Sequence, residues 1–329
     1  MRHIFVILCL ATGLLLSGCQ SEANYQPKEF TKVGIVLSNG GLGDQSFNDA
    51  AFNGLTQARN KLNILFDYRE ISDEVTYEDA FKDLAKGDYD LIVGLGFEGQ
   101  EALETVAKNH SDQQFLLVDS VSKLKNVTSL TFKEHEGSYL AGVIAGMKTK
   151  SDVVGFVGGE KASVIKKFES GFQQGVKKVN PDAEVLIDYT GTFNQTAPGK
   201  TIAESMINQK ADVLFAAAGL SGVGMIKAAQ ENGVYAIGVD SDQFHVAEKA
   251  VMTSMMKRVD TAMYTVVQDL VKDNKLDKGQ MVLGLNEEGV SLAPIRVTKL
   301  TEKEKQTLQT IKKKIKDGTI VVKNEGGES

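Results

Sequence analysis

Tryptophan is absent from the 329-residue chain, cysteine occurs twice and proline four times. So little proline excludes proline-rich and collagen-like architectures, although glycine is plentiful at 32. A basic surplus is also missing. The 37 lysines and arginines stand against 43 aspartates and glutamates, a net charge of −6, which excludes the basic footprint of a nucleic-acid binder. Beyond the N-terminus no long apolar run occurs, so a polytopic membrane protein is excluded too. What is present is ordinary globular usage, 42% hydrophobic and 24% charged, in a length that allows about two domains.

The one long apolar run, residues 4–16, follows Arg2 and His3. At about 13 residues it is too short to span a bilayer and suits the core of a signal peptide. It ends in Leu16-Ser17-Gly18-Cys19, the pattern of a lipoprotein signal-peptidase site. Cleavage after residue 18 would leave Cys19 as the only cysteine, with its thiol carrying a diacylglycerol. No disulfide, zinc-thiolate site or cysteine nucleophile could then be built. Residues 19–30 read as a tether, and the folded part is expected to work outside the cytoplasm, lipid-anchored to a membrane face. The chains of a lipid anchor hold a protein stably where one alone does so marginally.

From Lys32 onward short β-rich runs alternate with helical periodicity. Strands are expected at 33–37, 64–68, 91–93, 115–118, 127–132, 153–157, 185–189, 213–217, 235–239 and 251–255. Helices are expected at 98–110, 164–179 and 302–316. Phe168, Phe172 and Val176 fall on one helix face and read as core. The alternation implies βαβ units and mostly parallel sheets. The pattern also restarts: Lys32-Val-Gly-Ile-Val36 is echoed by Val153-Val-Gly-Phe-Val157, each followed by a glycine-rich turn and an amphipathic helix. Two similar α/β lobes are expected, with crossovers near 131–134 and 257–260.

Open parallel sheets bind ligands beyond the carboxyl ends of their strands. Those ends carry carboxylates at Asp44, Asp119 and Asp240, and phenylalanines in glycine-rich turns at Phe47 and Phe193. Flat apolar surface and hydrogen-bond acceptors therefore converge there. Gly94-Leu-Gly96-Phe-Glu-Gly99, with Asp119 following, satisfies a dinucleotide fingerprint in form. It sits on the third strand, however, and Glu98 would crowd a pyrophosphate. No metal spacing links His110, His135 and His245, and Gly219-Leu-Ser-Gly222 misses the nucleophile elbow by one position. No metal, cofactor or enzymatic activity is expected, and a binding protein is.

The blocks Gly40-Gly-Leu-Gly-Asp44-Gln-Ser-Phe47-Asn48, Val118-Asp119, Thr131-Phe-Lys-Glu-His-Glu-Gly-Ser-Tyr-Leu-Ala-Gly142, Gly155-Phe-Val-Gly-Gly159 and Ile237-Gly-Val-Asp240 resemble the basic membrane protein family. The resemblance is to its branch of purine nucleoside receptor lipoproteins, the substrate-binding subunits of ABC importers. It implies a type I periplasmic-binding-protein fold, two Rossmann-like lobes joined by three crossovers around a ligand cleft. The lobes would be 31–131 with 258–283, and 132–257 with 284–322, in a monomer that serves a permease and its ATPase. A purine would stack between Phe47 and Phe193, with base contacts from Asn48 and Asp119. Gly219, Asp240 and Lys257 would contact the ribose, while Asp44 either meets the ligand or caps the helix behind it. An acidic cleft without a phosphate-cradling loop favours nucleosides over nucleotides. A sugar or signal-molecule receptor on the same fold is the alternative reading, with an NAD-binding enzyme behind it.

Overall fold

Apolar runs without alternation form strands that are covered on both faces, and such strands make the interior of both sheets of this chain. The computed structural model describes residues 30–276 and 279–324. Along the chain, β1 (Thr31–Val36), β2 (Ile64–Arg69), β3 (Leu91–Leu95), β4 (Phe115–Val118) and β5 (Val127–Phe132) are linked through α1 (Phe47–Lys61), α2 (Tyr77–Ala85) and α3 (Gln100–Asn109). After β5 the chain enters α4 (Glu134–Lys148) and starts a second sheet. That sheet holds β6 (Val153–Gly158), β7 (Glu184–Tyr189), β8 (Val213–Ala217), β9 (Tyr235–Asp240) and β10 (Val251–Lys257), with α5 (Ser163–Val179), α6 (Thr196–Asn208) and α7 (Gly219–Glu231) between them.

The chain then returns. Helix α8 (Val259–Asp273) packs on α1, and β11 (Gln280–Leu283) joins the first sheet beside β5. A further passage leads to β12 (Val290–Leu292), antiparallel to β10, and to α9 (Glu302–Lys316). Among the described residues each sheet has six strands, ordered β11-β5-β4-β3-β1-β2 and β12-β10-β9-β8-β6-β7. All pairings other than β10–β12 are parallel, so the carboxyl ends of the strands gather at one edge of each lobe.

Helix α5 shows why the layers close. Val164, Ile165, Phe168, Phe172 and Val176 form its buried stripe, while Lys177 and Lys178 stay in its last turn, where the dipole favours cations. Helix α4 lies so near α5 that a Cβ on Gly142 would run into the carbonyl of Phe172. Only glycine permits that approach.

The expected strands and helices occur within about two residues of their bounds. The expected sequence pattern missed β11 and β12, which have four and three residues and incompletely buried side chains. The expected signal peptide, Cys19 and tether lie outside the described residues, apart from Phe30. No helix of the described residues is long and apolar enough to cross a membrane.

Candidate functional site

The segment after β1 is organised by two carboxylates. Asp44 accepts from the backbone amides of Ser46 and Asn48, each at 2.9 Å, from that of Asp49 at 3.2 Å, and from the Asn48 side chain at 3.0 Å. It thereby takes over the capping of α1. Burial pushes the Asp44 carboxyl up from its ordinary value, and these backbone amides oppose the shift. Asp49 accepts from the amides of Gly43 and Gln45 at 2.8 and 2.9 Å. Asn48 in turn accepts from the Ser38 amide at 2.9 Å, and gives its two amide hydrogens to Ser38 Oγ and Asp44. Both residues line the cavity described below, but the structure uses them first to fix the loop.

Because Asp44 caps the helix, the hydroxyl of Ser46 at the N-cap position makes no cap bond and is free to cross the cleft. It donates to Asp240 at the end of β9. Its neighbour Gln45 is a second crossing point. The Gln45 carbonyl accepts from Ser241 Oγ and Gln243 Nε2, both at 3.0 Å. Asn194 Nδ2 also donates to Asn39 Oδ1, at 3.4 Å. These bonds hold the two lobes together around a cavity lined by side chains of both lobes.

Four phenylalanines wall the cavity: Phe47 and Phe97 from the first lobe, Phe168 and Phe193 from the second. Phe97 meets Phe193 edge to face across the cleft, with ring centres 6.3 Å apart. Phe193 lies over Gly159, where any Cβ would strike its ring. Beside it, Ala217, Ala218 and Gly219 form a wall of small side chains. Gly219 has φ +54° at the start of α7, and its neighbour Leu220 donates its amide to the Phe193 carbonyl at 2.8 Å. Sequence reasoning missed Phe97 as a wall, although its place after the Gly94-Leu-Gly96 strand end was a usable signal. Phe168 is core, as expected, and also wall.

Charge gathers at one end. Asp119 and Asp240 each close a strand with positive φ, +66° and +63°, a conformation that aspartate tolerates better than most residues. Lys257 ends β10, is 2% exposed, and places its ammonium 2.5 Å from Asp119 Oδ2 and 3.1 Å from Glu134 Oε1. The same ammonium lies 4.9 Å from the ring centre of Phe47 and 5.1 Å from that of Phe132. Lys257 therefore lines the cavity as one member of an ion cluster, not as an isolated lysine. Burial disfavours its charge, but Asp119, Glu134 and Asp240 outweigh this and hold its pKa above the ordinary lysine value.

Burial pushes Asp119 up, opposed chiefly by Lys257. Its Oδ1 is buried without a hydrogen-bond partner. Burial likewise raises Asp240 to about 7, with Lys257 and the Ser46 hydroxyl opposing. Glu134, fully buried at the start of α4, was not foreseen as part of this cluster.

The dinucleotide fingerprint resolves into packing. Gly94 makes room for Leu103 and Phe81, and Gly96 turns the chain at φ +94°. Glu98, which accepts from the Tyr77 hydroxyl at 3.2 Å, puts a carboxylate in the cavity wall where a pyrophosphate would need donors. No group of three or more histidine, cysteine, aspartate or glutamate side chains among the described residues could hold a metal.

Comparison with known proteins agrees with this geometry. A family model described as "ABC transporter substrate-binding protein PnrA-like" matches residues 31–325. The CD4+ T-cell-stimulating antigen of Listeria monocytogenes is 35% identical, over 96% of each chain. The ABC transporter nucleoside-binding protein BmpA of Lactococcus lactis subsp. cremoris is 34% identical, again over 96% of each. Among solved structures, an ABC transporter system solute-binding protein from Aeropyrum pernix K1 superposes with a TM-score of 0.82. It is 28% identical over 89% of this chain and 94% of that one. The arrangement of two parallel-sheet lobes is the type I periplasmic-binding fold.

Proposed function

Since the chain belongs to the Bmp family of PnrA-like ABC transporter substrate-binding proteins, not to an enzyme family, we propose that it captures purine nucleosides outside the cytoplasm and delivers them to a membrane permease. The observation that carries this reading is the cavity itself, in which Phe47 and Phe193 reach in from opposite lobes beside buried carboxylates. Each aromatic face stacked on a base is worth about 1–3 kcal/mol. A base bound between the lobes would favour the closed state, because only that state offers both faces.

The polar partners divide by chemistry. Asp119 Oδ1, buried and unpaired, needs a donor and suits an N–H of the base. Asp240 and the wall at Gly219 suit ribose hydroxyls. In this reading Lys257 acts on the ligand chiefly through Asp119. A phosphate would enter a cavity whose wall includes Asp44, Glu98, Asp119 and Asp240, so neutral nucleosides are favoured over nucleotides. Mass spectrometry of ligand released from the denatured, freshly purified protein tests the class. A purine nucleoside is the expected mass, and a sugar or a nicotinamide nucleotide in its place would overturn the reading.

The lipid anchor on Cys19 belongs to the same proposal. Cys19→Ala is expected to shift the protein out of the detergent phase or to leave an unprocessed precursor. Unchanged partitioning of mature-sized protein contradicts the anchor.

A further inference from the structure

One fully buried charge, Glu134, touches the ion cluster without being part of the cavity wall. It opens α4 immediately after β5, where the helix N-terminus favours a carboxylate. Its Oε1 lies 3.1 Å from the ammonium of Lys257, and its Oε2 lies 3.3 Å from that of Lys167 on α5. Lys257 therefore divides its attraction between two carboxylates, Asp119 from the first lobe and Glu134 from the second. Of the two Asp119 oxygens, Oδ2 takes the Lys257 ammonium, while Oδ1 is buried without a hydrogen-bond partner, and Asp119 lines the cavity.

We propose that Glu134 is a positioning residue that sets base selectivity: by holding Lys257 back, it keeps one oxygen of Asp119 free and negative for an N–H donor on the ligand's base. This rests on the nucleoside reading above and deepens it, naming bases that carry an N–H at that edge as the preferred class. The electrostatic logic fixes the signs. With Glu134 neutralised, Lys257 loses one of its carboxylate partners and leans more heavily on Asp119, whose free oxygen is then a weaker acceptor. With Lys167 neutralised, the field at Asp119 becomes more negative, and the same oxygen is a stronger one. Ligands without a base N–H would feel neither change.

The experiment is calorimetric titration of the whole protein with inosine, which has an N–H on its six-membered ring, and with purine riboside, whose base has none. Wild type is expected to bind inosine at least about tenfold more tightly. Glu134→Gln, which preserves shape, is expected to weaken inosine about tenfold while purine riboside stays within about twofold. Lys167→Met is expected to move the inosine-to-purine-riboside ratio the opposite way, and it decides the matter alone if Glu134→Gln does not fold. Equal weakening of both ligands by Glu134→Gln would make Glu134 merely structural, and an unmoved ratio in both variants would make it idle. Either overturns the proposal, as does wild type binding both ligands equally, although nucleoside recognition would then survive. Wild type binding neither ligand would defeat the nucleoside reading and this proposal together.

Discussion

The two lobes build their halves of the cavity by different means. In the first lobe, the loop between β1 and α1 is held by two carboxylates: buried Asp44 collects three backbone amides, half-buried Asp49 two more, and Asn48 ties the loop to Ser38. In the second lobe, the loop bearing Phe193 is held by short local contacts, such as Thr190 Oγ1 to the Thr192 carbonyl at 2.6 Å and Ser221 Oγ to the Gln195 carbonyl at 2.6 Å. There the shape depends on glycines and alanines around one ring. The difference separates two kinds of cost. A change in the first loop should damage folding and binding together, whereas a change in the second should damage binding alone.

Asp44→Ala offers the largest test of that contrast. It removes the cap and leaves several buried amides without an acceptor, so apo stability should fall by about 3 kcal/mol in urea unfolding. A loss below about 1 kcal/mol would mean that the loop does not depend on its carboxylate. Phe193→Ala comes next. It should weaken nucleoside binding by about 1–3 kcal/mol while apo stability changes by about 1 kcal/mol or less, well under the roughly 3–5 of a core phenylalanine. Should the apo protein unfold while the folded fraction binds normally, Phe193 is core, and the contrast between the lobes disappears.

The smallest expected effect concerns Asp240, where the lobes meet. Its carboxyl, raised to about 7 by burial, binds its proton more tightly in the folded chain than in the unfolded one. The folded state thus holds more protons between about pH 4 and 7, and this group's contribution to stability is lost as pH rises through that window. Asp240→Asn removes the titration. The variant should therefore gain on wild type in unfolding free energy between pH 5 and 8, by an amount on the order of 1 kcal/mol. A constant difference across that range would show that Asp240 does not titrate there.

Much of this arrangement was legible in the sequence because apolar runs and their spacing are local signals. The restart at Val153 pointed to the second sheet, and the strand ends carried Asp119, Asp240, Phe47 and Phe193 to the cavity. What stayed hidden depends on partners distant in the chain. Lys257 lies two residues beyond the expected strand 251–255, on the same face as buried Met255, and only the family resemblance brought it to the ligand. Its counterions, Asp119 and Glu134, come from far earlier in the chain, and periodicity says nothing about them. The short strands β11 and β12 were invisible for a related reason: their pairing with β5 and β10, not their own few residues, makes them strands.

The most direct measurement of nucleoside recognition is a matched calorimetric titration with inosine and with inosine monophosphate at low ionic strength. The expected result is tight binding of the nucleoside and at least about tenfold weaker binding of the nucleotide, a gap of roughly 1.4 kcal/mol. Equal affinity for the two, or no binding of either, would contradict a carboxylate-lined cavity closing on a neutral purine nucleoside.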